Sequence, residues 1–275
     1  MTEGRSSDDE GTVLQVGSAP EDGSHRDRPP ADSMPGMVFD AAPPSSTGRP
    51  ATSAPIVPAL LATAAVTAAA AATAAFAWRL EHAGQPMQWV SFGGLYAVLL
   101  VMTVVYLAKT SRLDALKPRG GDLSFGALVA VGTYLVAVVL RTTVLDGAPG
   151  LSWLIRTYAQ LGELREIYVG PSVLLVAAAT EIVWRGGIQT ALVDAPGPTR
   201  GWQVATVAFA AAQAPSLWLL SAVGTGPNPL LVALALGGGG VWGLIALKTQ
   251  RLGISVAAHA LFVWAVTQYP VTLIG

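Results

Sequence analysis

The chain has 275 residues, 52% of them hydrophobic and only 12% charged, and its mean hydropathy is +0.51. That balance argues against a water-soluble globule and for a lipid bilayer as the surrounding medium. The absence of cysteine removes disulfides, thiolate metal sites and cysteine nucleophiles, and the dispersed bases, with no basic-aromatic stripe, give no nucleic-acid reading.

The formal net charge of −1 averages two unlike parts. Residues 1–54 hold nine of the 17 acids and four of the 16 bases, and the rest of the chain carries eight acids against 12 bases. This first stretch is rich in Ser, Asp, Gly and Pro and has little apolar surface with which to offset chain ordering, so it reads as a disordered cytoplasmic tail. The first apolar run begins only near Ile56, too late for a signal peptide, although a start codon assigned too far upstream would also account for the tail.

Apolar runs follow near 56–78, 88–108, 124–145, 168–190, 203–221, 229–247 and 253–270, each close to the roughly 20 residues that a span requires. The first is mostly alanine and needs packing partners more than lipid. Residues 151–167, SWLIRTYAQLGELREIY, mix apolar and charged positions at helical spacing and predict an interfacial helix. The expected fold is therefore all-α, a polytopic transmembrane helix bundle of about seven spans plus one interfacial helix. It divides into the tail (1–54), N-terminal helices (55–164) and a C-terminal core (165–275).

Orientation follows from Lys and Arg in short loops. Lys109, Arg112, Lys117 and Arg119 cluster after the second run, whereas the loop after the first has Arg79 alone and SAVGTGPNP has no charge. The tail and residues 109–122 are thus expected on the cytoplasmic side of the cell membrane. Seven crossings then place Arg200 and the Lys248–Arg251 turn inside as well, with Asp146, Glu163, Glu166 and the C-terminus outside.

The segment TEIVWRGG, Thr180–Gly187, sits directly after the apolar run VGPSVLLVAAA. A charge near the middle of a membrane helix costs roughly 2.5–3.5 kcal/mol even on the lenient insertion scale. Glu181 and Arg185 are four residues apart on one helical face and can pair, yet a buried ion pair seldom outperforms the apolar residues that could replace it. Either the pair only locks this helix against a neighbour, or Glu181 points into a polar cavity. Gln213, followed by Pro215, lies well inside the fifth run, and His259 is the one histidine in any predicted span. Three buried polar groups from three spans favour one shared site.

These residues carry a resemblance. TEIVWRGGIQTAL, VAFAAAQAPSL and GGGGVWGLIALKTQRLGISVAAHALFVW, in that order over roughly 165–270, resemble the three motifs of the CPBP intramembrane protease family (Abi, or CAAX prenyl protease-like). The resemblance implies a metalloendopeptidase sunk in the bilayer that opens toward the cytoplasm and accepts a lipidated or hydrophobic peptide; some bacterial members are linked instead with bacteriocin self-immunity or scaffolding, which leaves a membrane-protein partner as the other expectation. Residue by residue, Thr180 stands where the family has its first glutamate, Glu181 and Arg185 match the second glutamate and the arginine, Gln213 replaces the second-motif histidine, His259 is retained, and Val263 replaces the asparagine one turn later.

Catalytic zinc takes three good donors and an open position for water. With Thr180, Gln213 and Val263 at family positions, the expectation is no cofactor, and zinc only in the enzyme reading, with His259 as a weak metal candidate. The resulting reading is a weakly active or inactive relative that keeps the cavity, with Glu181, Arg185 and His259 as catalytic candidates that are vestigial if activity is lost, and Thr180, Gln213 and Val263 as cavity-lining. In it, Gln213 and His259 hydrogen-bond across the cavity. The rivals are an active endopeptidase with an altered metal site and a proton-linked transporter using Glu181 and His259.

Overall fold

In the computed structural model, the apolar runs form helices whose buried faces are narrow and lined by small residues. It describes residues 56–147, 149–161 and 169–273. Of the two units into which the chain divides, 1–50 and 51–275, only the second contains described residues, so the expected tail lies outside them. Among the described residues there is no β-strand, and five helices are long and apolar enough to cross a membrane. The molecule is an all-α, multi-pass membrane bundle.

Helix α1 (Ile56–Ala77) buries Thr63, Ala70, Ala74 and Ala77 along one face and packs that face on α2 (Pro86–Lys109) and α7 (Pro198–Ala211). The partners expected for this alanine-rich helix are therefore present. Helix α3 (Asp122–Thr143) buries Asp122, Gly126 and Ala130, a stripe with a four-residue period, and this stripe meets α10 (Leu252–Gln268). A Cβ on Gly126 would lie 2.5 Å from the Ala257 Cβ and 2.9 Å from the Ile254 carbonyl oxygen. Only a hydrogen at that position lets the two backbones approach so closely, which is how helices associate where no hydrophobic force acts between them.

Residues 150–161 form the amphipathic helix α4 (Gly150–Leu161). At 12 residues it is about 18 Å long and too short to cross. Asn228 holds it from the following half of the chain, donating through Nδ2 to the Trp153 carbonyl and the Thr157 hydroxyl, both at 3.0 Å. Residues 162–168, with Glu163 and Glu166, lie outside the described residues.

The continuous helical stretch Val169–Asp194 has three parts: α5 (Val169–Glu181), a π-helical segment (Ile182–Gln189) and α6 (Thr190–Asp194). The run expected at 203–221 is interrupted. Helix α7 ends at Ala211, residues 212–215 form turns, and α8 (Ser216–Leu219) restarts after Pro215, whose ring cannot occupy a helix interior without loss of a hydrogen bond. Helix α9 (Leu230–Thr249) then leads into α10 through a turn at Gln250, which has φ 54°.

Two ion pairs gather the loops at one end of the bundle. Arg112 grips Asp194 with both terminal nitrogens, at 2.6 and 3.1 Å, and Arg251 pairs with Asp122 and donates to the Gly120 carbonyl at 3.0 Å. The loops 109–122, 194–200 and 248–251, which the charge pattern groups on one side, thus share one end of the molecule.

The close approach of α3 and α10 has a measurable consequence. Gly126→Val should lower stability in detergent by about 1–3 kcal/mol, through overpacking against Ala257. Gly132→Ala, further along α3 and with open space around its Cβ position, should leave stability unchanged or raise it by up to about 1 kcal/mol. Thermal unfolding of the purified variants distinguishes the two.

Candidate functional site

Glu181 closes the last turn of α5, and the chain then widens into the π-helical segment Ile182–Gln189. Such segments bond i to i+5 and occur mostly as single turns, frequently at functional sites. Here the wider turn carries Arg185, Gly186 and Gly187 through the middle of the bundle, where all three are buried. Gly187 permits the approach of α2, since a Cβ there would lie 3.0 Å from the Thr103 hydroxyl.

The buried polar groups form a chain across three segments. Arg185 Nε lies 3.4 Å from Glu181 Oε2, and both side chains are fully inaccessible. Glu181 Oε1 lies 3.0 Å from His259 Nδ1 on α10, a contact too poorly aligned to count as a hydrogen bond. On the other side, Arg185 Nη1 approaches Gln189 Oε1 at 3.5 Å, and Gln189 Nε2 donates to the Gly243 carbonyl on α9 at 2.9 Å. The carboxylate therefore sits between a guanidinium and an imidazole, and the cluster joins α5, α9 and α10.

Aromatic rings enclose these groups. Trp242 stacks on His259 with ring centres 4.1 Å apart and planes 19° from parallel, and Phe209 lies 5.3 Å from the Arg185 guanidinium carbon. The second geometry suits a cation over a ring face, which is worth more in a desolvated site than at a surface. The run Gly237–Gly240 divides its work among these neighbours. A Cβ on Gly239 would meet Phe209 at 2.7 Å and Arg185 Nη2 at 3.0 Å, and the Gly240 carbonyl accepts from Trp202 Nε1 at 3.0 Å. Gly237 and Gly238 instead line a void.

That void is a cavity of about 870 Å³ within the bundle. Thr180, Gln213, His259 and Val263 all border it, together with Tyr96 and Trp242. Glu181 does not: at 0% exposure it lies behind the wall, drawn toward Arg185 and His259, instead of pointing into the space. The Thr180 hydroxyl donates back to the Val176 carbonyl at 2.7 Å. Gln213 belongs to the turns between α7 and α8, and no side-chain hydrogen bond links it to His259. The bond expected across the cavity is replaced by the shorter reach of His259 to Glu181.

Two participants carry no obvious mark in the sequence. Gln189 lies four residues beyond Arg185, and Trp242 lies within the glycine-rich helix. Gln189 was legible only as one more polar residue at the spacing Glu181, Arg185, Gln189. Trp242 resembles any core tryptophan until the α9–α10 turn folds it over His259.

Because the carboxylate and guanidinium are buried together, removing one strands the other. Arg185→Met should destabilise the protein by about 3–5 kcal/mol, whereas Glu181→Gln combined with Arg185→Met should recover most of that loss. A double-mutant cycle on unfolding in detergent measures the difference.

Compared with known proteins, residues 166–265 match the family model described as Rce1-like, type II CAAX prenyl endopeptidase Rce1-like. Searches of curated proteins and of solved structures found no match. The matched stretch contains every residue that bears the motif resemblance, from Thr180 and Glu181 through Gln213 to His259 and Val263. Over this segment the chain is similar to the Rce1-like type II CAAX prenyl endopeptidases, in the CPBP group that its motifs resemble.

Proposed function

We propose that this protein is a weakly hydrolysing or inactive relative of the CAAX prenyl endopeptidases, which retains their intramembrane cavity to bind a lipidated or hydrophobic peptide, or an apolar segment of a membrane-protein partner. The observation that supports this most is the donor set. At the family positions Glu181 and His259 are the only carboxylate and imidazole, and they lie 3.0 Å apart, with His259 alone bordering the cavity. Among the described residues no group of three or more His, Cys, Asp or Glu stands close enough to hold a metal ion.

Catalytic zinc uses three such donors and an open water position. Gln213 offers a neutral amide, the Thr180 hydroxyl is committed to a backbone carbonyl, and Val263 offers nothing. The residues present do not fit that metal. Glu181, paired with Arg185, is also poorly placed to take a proton from water, because it is sealed from the cavity. Retention of the cavity itself favours binding over a purely structural role.

In this reading the bundle lies in the cell membrane with its N-terminal tail cytoplasmic. The end that carries Lys109, Arg112, Lys117, Arg119, Arg200, Lys248 and Arg251 faces the same side, in keeping with the excess of basic residues in cytoplasmic loops.

Zinc analysis of detergent-purified protein tests the proposal. Wild type and His259→Ala should both contain far less than one equivalent, and neither should cleave a prenylated peptide at more than a trace rate. Thr180→Glu combined with Gln213→His, which restores the two missing donors, should raise metal retention well above wild type. Stoichiometric zinc in wild type that disappears in His259→Ala would overturn the proposal and favour an enzyme with an altered metal site.

A further inference from the structure

At the end of the cavity away from Glu181, one residue departs from the apolar lining. Arg141 lies in the last turn of α3, borders the cavity, and is only 7% exposed. Among the described cavity-lining residues it is the one permanently charged side chain. A long Arg so near a helix end would ordinarily extend to the water interface and keep its head hydrated. This one is folded inward.

Its contacts satisfy only part of the guanidinium. Nη1 donates to Asp146 Oδ1 at 2.7 Å, and the Asp146 side chain is 71% exposed. The Nε–H is buried and has no partner among the described residues. A buried guanidinium with an open N–H edge is an incomplete site, because leaving such a donor unsatisfied is unfavourable and the planar fork matches a carboxylate or phosphate. The hydroxyls of Thr157 and Tyr158, which also line the cavity, accept from other donors, Asn228 Nδ2 at 3.0 Å and the Val271 amide at 3.4 Å, and not from this N–H.

From this cationic end the cavity runs as an apolar channel. Its lining on α3 extends from Val129 to Arg141, about 18 Å along the helix axis. At about 870 Å³ it falls in the range of pockets that enclose a whole small ligand. Arg141 pairs with a carboxylate that is exposed, so this end of the cavity lies close to the surface.

We infer that the cavity binds a single-chain amphiphile with an anionic head, the head on the free edge of Arg141 and the alkyl tail directed toward Thr180 and His259. This shares the cavity of the reading above and rests on that cavity being a binding space, but it holds whether or not hydrolysis is lost.

The test is binding of palmitate, lysophosphatidate and uncharged hexadecanol to the full-length chain in detergent, read by native mass spectrometry and by competition with a fluorescent fatty acid. At least one anionic probe should bind roughly tenfold or more tighter than hexadecanol, and Arg141→Gln should remove that preference. Tighter palmitate assigns a carboxylate head, and tighter lysophosphatidate a phosphate head. Arg141→Gln leaves no stranded buried charge, since Asp146 is already hydrated. Should that variant nonetheless fail to fold, Arg141→Lys, which lacks the planar fork, should reduce the preference to about threefold. Equal binding of all three probes, or a preference unchanged in the variants, overturns the anionic subsite and leaves the binding cavity standing. Failure of every probe to bind overturns both.

Discussion

The constraint on which the C-terminal half depends is that a carboxylate and a guanidinium, once inside hydrocarbon, must be neutralised without water. Glu181 and Arg185 share a helix face, but an isolated pair on one helix would still leave most of its hydrogen-bonding capacity unused. Completing it requires His259 from α10 and, through Gln189, the Gly243 carbonyl of α9. Three segments distant in sequence are thereby fixed in relative depth and rotation, because a shift of one turn in any of them would strand an ion in an apolar medium. The pair thus locks helices, as the simplest reading of the sequence holds, and it also forms the back wall of a cavity.

That arrangement is possible because small residues lie wherever the network needs room. Gly239 and Gly243 on α9 sit against Arg185 and Gln189, and larger side chains there would displace the groups that satisfy the charges. The same device serves α3 and α10, where Gly126 and Gly253 allow close approach. At Gly239 and Gly243 electrostatics and packing are therefore not separable: the space that these glycines leave is filled by the charged and amide groups of the cluster.

Much of this was legible in the sequence, and the illegible part has a physical reason. Length and hydropathy suffice for α1, α2, α3 and α9, because a bilayer demands about 20 apolar residues whatever their neighbours. Pro215 signals a disturbance in the run 203–221, since its missing N–H acts locally, but not that α7 stops at Ala211. The family resemblance is carried by a few polar residues at fixed spacing, and the match over 166–265 covers them. What the sequence does not disclose is direction. Glu181 reads as a residue aimed into a cavity, yet its orientation is decided by His259, far along the chain on α10, and by Arg185. Nor does composition set apart Arg141, which resembles an ordinary helix-terminal base until its burial is known.

The π-helical segment also alters how positions beyond it correspond to faces. An ideal α-helix advances about 100° per residue, so one residue accommodated as a wide turn offsets all later side chains by about that angle. Leu192 packs in the core and Asp194 reaches Arg112 beyond this segment. A helical wheel drawn through Ile182–Gln189 loses phase partway, so the faces of α6 cannot be read by carrying the register of α5 forward.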